Sequence, residues 1–197
     1  MICLRVVSLT KEWPTWQRIN LRIGVKRIPH VKGQCMGAYD PRSLKGTGVT
    51  YATSTMGADH TCGNAIPNPA NPSYNPSPSA GQGPVSQFLQ SYFAAIDSLG
   101  LCLFASLPFL DIPELQIHLA ACVSAKLGTS VDENYLTQLG VSLLKAERKF
   151  NEVAGFTRKD DRLPSFFLEE KLLPGGNVFD VPENEIDDVH KFWRRSF

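Results

Sequence analysis

An amphipathic repeat near the middle of the chain constrains the fold more than any other feature of the sequence. Its apolar residues are Val85, Phe88, Leu89, Tyr92, Phe93, Ile96 and Leu99. Steps of three and four residues place these side chains on one face of an α-helix, and that face must pack against something. Gly100 follows, and glycine enters the left-handed conformation of a helix C-terminus without steric cost. The pattern predicts a buried helix that ends in a turn at Gly100.

Similar repeats predict further helices elsewhere in the chain. One begins at the Asp40–Pro41 pair and runs to about Thr53, where Gly46 and Gly48 imply close approach to another helix or to a ligand. A second follows a cap at Asp111, and its apolar stripe includes Cys122, which we expect in the core. A third follows a Ser130–Glu133 capping box, with a stripe of Leu136, Leu139, Leu143, Ala146, Phe150 and Val153. The last starts near Pro182 and carries Ile186, Val189 and Trp193.

No segment shows convincing strand alternation, so the sequence predicts an all-α class, an irregular helical domain over residues 24–197. Residues 62–83 hold five prolines, four asparagines, three serines and three glycines, which predicts one long loop. Residues 1–23 match no helix or strand period, and we interpret them as the atypical start of an interrupted reading frame. Apolar Leu103–Pro108 is expected to act as a hinge.

Composition and charge exclude several classes of protein. The five cysteines are odd in number and widely spaced, which argues against a disulfide framework and favours reduced thiols in the cytoplasm. No apolar run is long enough for a membrane span, and the first residues lack the apolar core of a signal peptide. Residues 1–50 carry nine Lys/Arg against two acids. No aromatic platform or reading motif for nucleic acid accompanies this charge. Anionic cofactor phosphates or an acidic neighbouring domain explain it equally well, and a solvated face explains it best.

Two short motifs carry candidate chemistry. In Asp97-x-x-Gly100-Leu101-Cys102, the carboxylate could accept two parallel N–H donors such as those of a pterin edge, and Cys102 could bind a cluster or metal. The alternative is a solvated aspartate and a small buried cysteine. His60, in Gly57-Ala58-Asp59-His60, suits acid–base work, although a lone histidine is more often structural. The Asp160–Asp161 pair is interpreted as a loop ion-pair network or a helix start without a catalytic role, and His118 and His190 as surface or core-edge residues.

The Asp-x-x-Gly-Leu-Cys motif resembles the pterin-and-cluster motif of the tungsten- or molybdenum-containing aldehyde ferredoxin oxidoreductases. Three further stretches resemble the same family in the same order. They are residues 38–42 with Gly46 and Gly48, residues 51–54 with 57–60, and Phe150–Asn151 with 155–164. The resemblance covers Gly24 to Pro164, with a weaker tail to Phe197.

The resemblance implies the helical C-terminal part of an enzyme that oxidises aldehydes to carboxylic acids. In that family a metal held by two pterins takes electrons from the aldehyde, and a four-iron cluster passes them to ferredoxin. It implies that Asp97 contacts a pterin ring, that Cys102 is a cluster ligand, and that His60 handles a proton. Gly100 and Leu101 would set the turn between them.

The family's N-terminal sheet domain, its Cys-x-x-Cys-x-x-x-Cys segment and its first Asp-containing pterin motif have no counterpart in this sequence. We therefore expect part of a truncated or split enzyme, inactive alone, whose missing thiolates come from another polypeptide. The competing interpretation is a non-catalytic helical scaffold or interaction domain derived from that family.

Overall fold

The computed structural model describes residues 27–67, 74–132 and 134–191, apart from the side chain of Pro113. In chain order its elements are strands β1 (His30–Val31) and β2 (Gln34–Cys35), then helices α1 (Lys45–Thr53), α2 (Gln82–Ser98), α3 (Leu103–Asp111), α4 (Pro113–Leu127), α5 (Tyr135–Val153), α6 (Phe166–Glu169) and α7 (Glu183–Asp188). The predicted all-α class is confirmed, and the strands form a single antiparallel hairpin. No helix in the described part of the chain is long and apolar enough to cross a bilayer. Residues 1–23 and Trp193 lie outside the described residues.

Helix α1 lies at the centre of the fold, and all nine of its residues are buried. Its glycines allow this because they let neighbours approach the backbone. A Cβ on Gly46 would lie 2.7 Å from the Cβ of Ala65, and one on Gly48 would lie 2.5 Å from the Phe179 ring. The close approach predicted at these glycines is therefore confirmed, and the partner is the protein itself. Packing offsets the roughly 1 kcal/mol that each glycine costs in a helix.

Helix α2 packs between α1 and α5. Its contact with α1 is polar: the Thr50 and Ser86 hydroxyls lie 2.7 Å apart, and Gln90 Nε2 donates to Thr53 Oγ1 at 2.8 Å. Its contact with α5 depends on Gly140, where an added Cβ would lie 1.8 Å from the carbonyl oxygen of Ser91. The two backbones therefore touch at this crossing.

Two apolar clusters flank α1 and α2. The first joins α1 to the C-terminal segments and contains Val31, Val49, Tyr51, Ala52, Ala58, Leu163, Phe167, Phe179, Val181, Ile186 and Val189. The second joins α2 to α4 and α5 and contains Tyr92, Phe93, Ala95, Ile96, Leu119 and Leu136. The predicted apolar face of α2 thus forms one side of a core around Tyr92, Phe93 and Ile96, but its Phe88 stays 57% exposed. Ile186 and Val189 are buried as the final repeat predicts.

Three helix starts differ from the sequence prediction. Helix α1 begins at Lys45 rather than at Pro41, because the Asp40 carboxylate accepts a hydrogen bond from the Arg42 amide and holds a separate turn. The expected hinge is helix α3, with Pro108 inside it. Helix α4 begins at Pro113 and is preceded by Ile112 rather than capped by Asp111, which belongs to the end of α3.

The buried faces of α4 and α5 also differ from the predicted stripes. Cys122 is exposed, because α4 buries Leu119, Ala120 and Val123 and no other described residue covers the position between them. Helix α5 buries Leu136, Gly140, Val141 and Leu144 where α2 crosses it, and leaves Phe150 52% and Val153 79% exposed. The apolar period of α5 continues past the end of its partner, so periodicity alone overestimates its buried length.

The crossing of α2 and α5 predicts the effect of Gly140→Ala. Alanine gains about 1 kcal/mol of intrinsic helix propensity, but the clash with Ser91 forces the helices apart, and overpacking of this kind costs about 3 kcal/mol. Urea unfolding should therefore show a net loss of stability. Thr137→Ala, on the exposed side of the same helix, is the control and should change stability little. Equal stability of the two variants would contradict the close crossing.

Candidate functional site

The Asp97–Cys102 segment is a helix-terminating turn with a complete hydrogen-bond pattern. Leu99 is the last residue of helical conformation, and Gly100 follows with φ +72°. The Gly100 amide donates to the Asp97 carbonyl at 3.0 Å, and the Leu101 amide donates to the Ile96 carbonyl at 3.2 Å. These two bonds define a Schellman motif, in which only glycine adopts the left-handed conformation without strain. The sequence prediction of a C-terminal turn at Gly100 is confirmed.

The turn separates an anchored residue from two exposed ones. Leu101 packs against the second apolar cluster, which fixes the turn to the core. Asp97 and Cys102 are both exposed, so the alternative of a buried Cys102 is wrong. A Cβ added to Gly100 would meet no atom within 4 Å, so the outer side of the turn is open. The carboxylate and the thiol are therefore both accessible to a partner from outside the chain.

Asp97 borders a cavity of about 200 Å³ between the ends of α1, α2 and α5. The lining residues are Ser54, Thr55, Met56, Cys62, Gln90, Ala94, Asp97, Ser98, Leu144 and Glu147. Glu147 accepts a hydrogen bond from the Thr55 hydroxyl at 2.6 Å, and the Cys62 and Met56 sulfurs lie 3.3 Å apart. Gln90 Oε1 is buried with no hydrogen-bond partner among the described residues. The cavity is thus rich in acceptor oxygens.

Negative charge accumulates around this cavity. Partial burial raises the pKa of Asp97 above 3.8, and the carboxylates of Asp59 and Glu147 raise it further. Burial also raises the pKa of the Cys62 thiol to about 12, with additional effects from the same acids. Cys62 therefore stays a neutral thiol at neutral pH and is poorly suited to bind a metal.

His60 begins a short 3-10 turn (His60–Cys62) that follows α1. Its neighbour Asp59 caps the turn: Asp59 Oδ1 accepts from the amide and the hydroxyl of Thr61, each at 2.8 Å, and lies 3.9 Å from His60 Nδ1. The Tyr39 ring packs on the imidazole with centroids 5.2 Å apart, and the side chain stays 42% exposed. The imidazole is held on one side and accessible on the other.

The structure brings residues next to His60, rather than His60 itself, to the cavity of Asp97. The Asp59–Cys62 segment lies near the end of α2. Cys62 lines the same cavity as Asp97, and the charge of Asp59 raises the pKa of Asp97. Neither His60 nor Cys102 lines that cavity. In the described part of the chain, no group of three or more His, Cys, Asp and Glu residues could hold a metal ion. Sequence analysis missed Glu147, whose only signal is its place three residues after buried Leu144.

The acid pair near the C-terminus is structural. Asp161 is buried, and its carboxylate contacts Lys32 Nζ and Arg148 Nη1, each at 2.7 Å. Asp160 accepts from the Thr157 amide and closes a capping box. The predicted ion-pair network exists at Asp161, but its cations come from the β1–β2 turn and from α5 rather than from the adjacent residues. His190 lies at the edge of the same network, 3.9 Å from Asp161.

The raised pKa of Asp97 predicts the pH dependence of Asp97→Asn. An acid that holds its proton more tightly in the folded state destabilises that state when ionised. Asp97→Asn should therefore raise the free energy of unfolding at pH 7, and the gain should disappear as the pH falls through the raised pKa to below 3.8. Urea unfolding from pH 3 to 8 measures it. Glu169→Gln removes an exposed acid that lines no described cavity and is the control; a pH-independent gain at Asp97 would contradict the prediction.

The segments described above also match known proteins. Residues 16–193 match the family described as aldehyde ferredoxin oxidoreductase, domains 2 and 3. Relatives named tungsten-containing aldehyde ferredoxin oxidoreductase include those of Pyrococcus horikoshii, 32% identical over 78% of this chain, and of Pyrococcus furiosus and Thermococcus kodakarensis, 36% and 35% identical over 75% of it. The alignments cover only 24–25% of these relatives, so the chain spans about a quarter of their length.

Proposed function

The chain belongs to the aldehyde ferredoxin oxidoreductase family, and we propose that it supplies one face of that family's redox site to a larger assembly. The observation that carries this proposal is the Schellman turn, which leaves Asp97 and Cys102 exposed and anchors Leu101 between them. The assembly would oxidise an aldehyde to a carboxylic acid and pass the electrons to ferredoxin. When bound, a tungsten or molybdenum bis-pterin and a four-iron cluster supply the redox chemistry.

Asp97 is proposed to accept hydrogen bonds from the amino-pyrimidinone edge of a pterin. Support comes from its exposed carboxylate, which has no ion pair among the described residues, and from the open space beside Gly100. A carboxylate accepts hydrogen bonds from two parallel N–H donors more strongly than a neutral acceptor does. Because partial burial, together with the charges of Asp59 and Glu147, raises the pKa of Asp97, binding should return stability that the ionised carboxylate costs the free chain.

Cys102 is proposed as one thiolate ligand of the four-iron cluster. The thiol is exposed and immediately precedes α3, with extended backbone that carries its side chain away from the core. A cluster of this type takes about four cysteines, whereas the described residues provide no group that could complete the set. The other ligands would therefore belong to a polypeptide that corresponds to the part of the relatives this chain does not cover.

His60 is proposed to take or give a proton during aldehyde oxidation. Tyr39 and Asp59 hold one side of the imidazole and leave the other side accessible, as a group that exchanges protons with substrate requires. Asp59 itself is fixed by Thr61, so the imidazole has a defined neighbour near Nδ1. The chain alone would remain inactive, because neither metal nor cluster could be held by these residues without the remaining polypeptide.

A second candidate function is a non-catalytic scaffold. The exposed apolar surface favours it, since Phe104 is 78% exposed beside Cys102 and Ile117 is 60% exposed on α4. Such a domain would bind the rest of the assembly without contributing a ligand. Metal content separates the two candidates, because only the first requires Cys102.

Cys102→Ser should remove the cluster but not the complex. The experiment co-expresses the chain with the part of the Pyrococcus furiosus relative that it does not cover, then measures iron per purified complex. The original chain should give about four irons, and Cys102→Ser should give at most a small fraction of that. Cys122→Ser changes another exposed cysteine and should leave the iron content intact. A normal cluster in the Cys102→Ser complex would favour the scaffold.

His60→Asn should reduce aldehyde oxidation while the iron content stays unchanged. Loss of a positioned proton-transfer group typically costs 10²–10⁴-fold in rate, so kcat should fall by roughly that factor. The exposed His118 lies on α4 and matches no motif, which makes His118→Asn the control. Retained activity in His60→Asn would remove the histidine from the mechanism and leave the roles of Asp97 and Cys102 untouched.

A further inference from the structure

A second cavity, of about 250 Å³, lies on the opposite side of α5 from Glu147 and is lined mostly by charged side chains. Helix α5 contributes Lys145, Arg148, Lys149 and Glu152, and the C-terminal segments contribute Arg158, Asp161, Asp187 and His190. Arg158 and Asp161 belong to the 155–164 stretch that resembles the family, but the proposed redox site uses none of these residues. We call this the α5 cavity.

The distribution of basic residues on α5 is unusual for this chain. Residues 51–150 contain only four Lys and Arg, and three of them, Lys145, Arg148 and Lys149, fall within five positions. Their spacing of three and four residues places the like charges side by side, which destabilises a helix. Glu147, the acid inside this run, lines the cavity beside Asp97 instead. The fold therefore collects positive charge on one face of α5.

The acids of the α5 cavity already have basic partners. Asp161 contacts both Lys32 and Arg148. Asp187 accepts from Arg162 Nη2 at 2.7 Å, and this hydrogen bond, with the charges of Arg158 and Lys191, lowers the pKa of Asp187. Four basic side chains (Lys145, Arg148, Lys149 and Arg158) and three acidic ones (Glu152, Asp161 and Asp187) line the cavity, while Lys32 and Arg162 pair with Asp161 and Asp187 from outside the lining. The excess of positive charge is not balanced by the described residues.

Two cations at the cavity have no ion pair within the described residues: Lys145 and Arg158. Lys149 reaches Glu152 only at 3.9 Å. Arg148 is more firmly placed, since its side chain is only 12% exposed and its ion pair with Asp161 fixes the guanidinium at the cavity wall. One oriented guanidinium with exposed ammonium groups around it matches the donors that proteins use for phosphate.

We propose that the α5 cavity binds a small phosphate-type dianion, as free phosphate or as the phosphate group of an organic molecule. Arg148 would provide the fixed donor, while Lys145, Lys149 and Arg158 would close around the oxygens. A dianion would relieve the repulsion among the basic residues of α5. The site is independent of the redox proposal, because it shares no residue with the turn that carries Asp97 and Cys102.

Thermal unfolding of the 197-residue chain tests the proposal directly. Inorganic phosphate should raise Tm in proportion to the logarithm of its concentration above Kd, by roughly 5 °C at about a hundred times Kd, at an ionic strength held constant with sodium chloride. The double variant Lys145→Gln/Arg158→Gln should lose most of this shift. Lys126→Gln/Lys171→Gln removes the same charge away from the cavity and should retain it. If the double variant fails to fold, Lys145→Gln alone replaces it and should lose part of the Tm shift.

A parallel titration with glycerol 3-phosphate distinguishes the two sources of the dianion. A lower Kd for the ester indicates that the cavity takes an organic phosphate, whereas a lower Kd for inorganic phosphate indicates the free ion. The proposal is overturned if phosphate does not raise Tm, if sodium chloride alone produces the same rise, or if both double variants respond equally. None of these results depends on whether the chain carries a cluster ligand.

Discussion

The left-handed turn at Gly100 is the constraint on which the site depends. The Leu101 amide reaches back to the Ile96 carbonyl, and this one hydrogen bond decides which side chains point inward. Leu101 then joins the core, while Asp97 and Cys102 stay outside it. Any residue with a Cβ at position 100 would be strained at φ +72°, so the conformation that exposes the acid and the sulfur is specific to glycine.

Close helix packing holds this turn in place. Helix α2 contacts α1 through Thr50, Thr53 and their partners, and contacts α5 where Gly140 meets the backbone of Ser91. A small shift of α2 would move Asp97 relative to both Asp59 and Glu147. The same crossing gives α5 two charged faces, with Glu147 beside Asp97 on one and the basic residues of the α5 cavity on the other.

Sequence patterns predicted the features that depend on local backbone chemistry. The helix ending at Gly100 and the close approach at Gly46 and Gly48 follow from conformational rules that act within a few residues. Features set by distant partners were missed. Cys122 is exposed because no helix in the described part of the chain covers its side of α4. Asp161 forms its ion pair with Lys32, which lies far away in the sequence. Glu147 belongs to the cavity of Asp97 only because α2 crosses α5 at Gly140, which no local pattern encodes.

The central claim is that the Gly100 turn faces the rest of an oxidoreductase assembly. Peptide-level measurement of maleimide labelling, with and without the polypeptide that completes the family enzyme, tests it most directly. Cys102 should react readily in the free chain and be strongly protected in the complex, while Cys122, exposed on α4, keeps its rate. Equal labelling of Cys102 in the free chain and in the complex would contradict the account, because a thiol that still meets solvent binds no cluster and faces no partner.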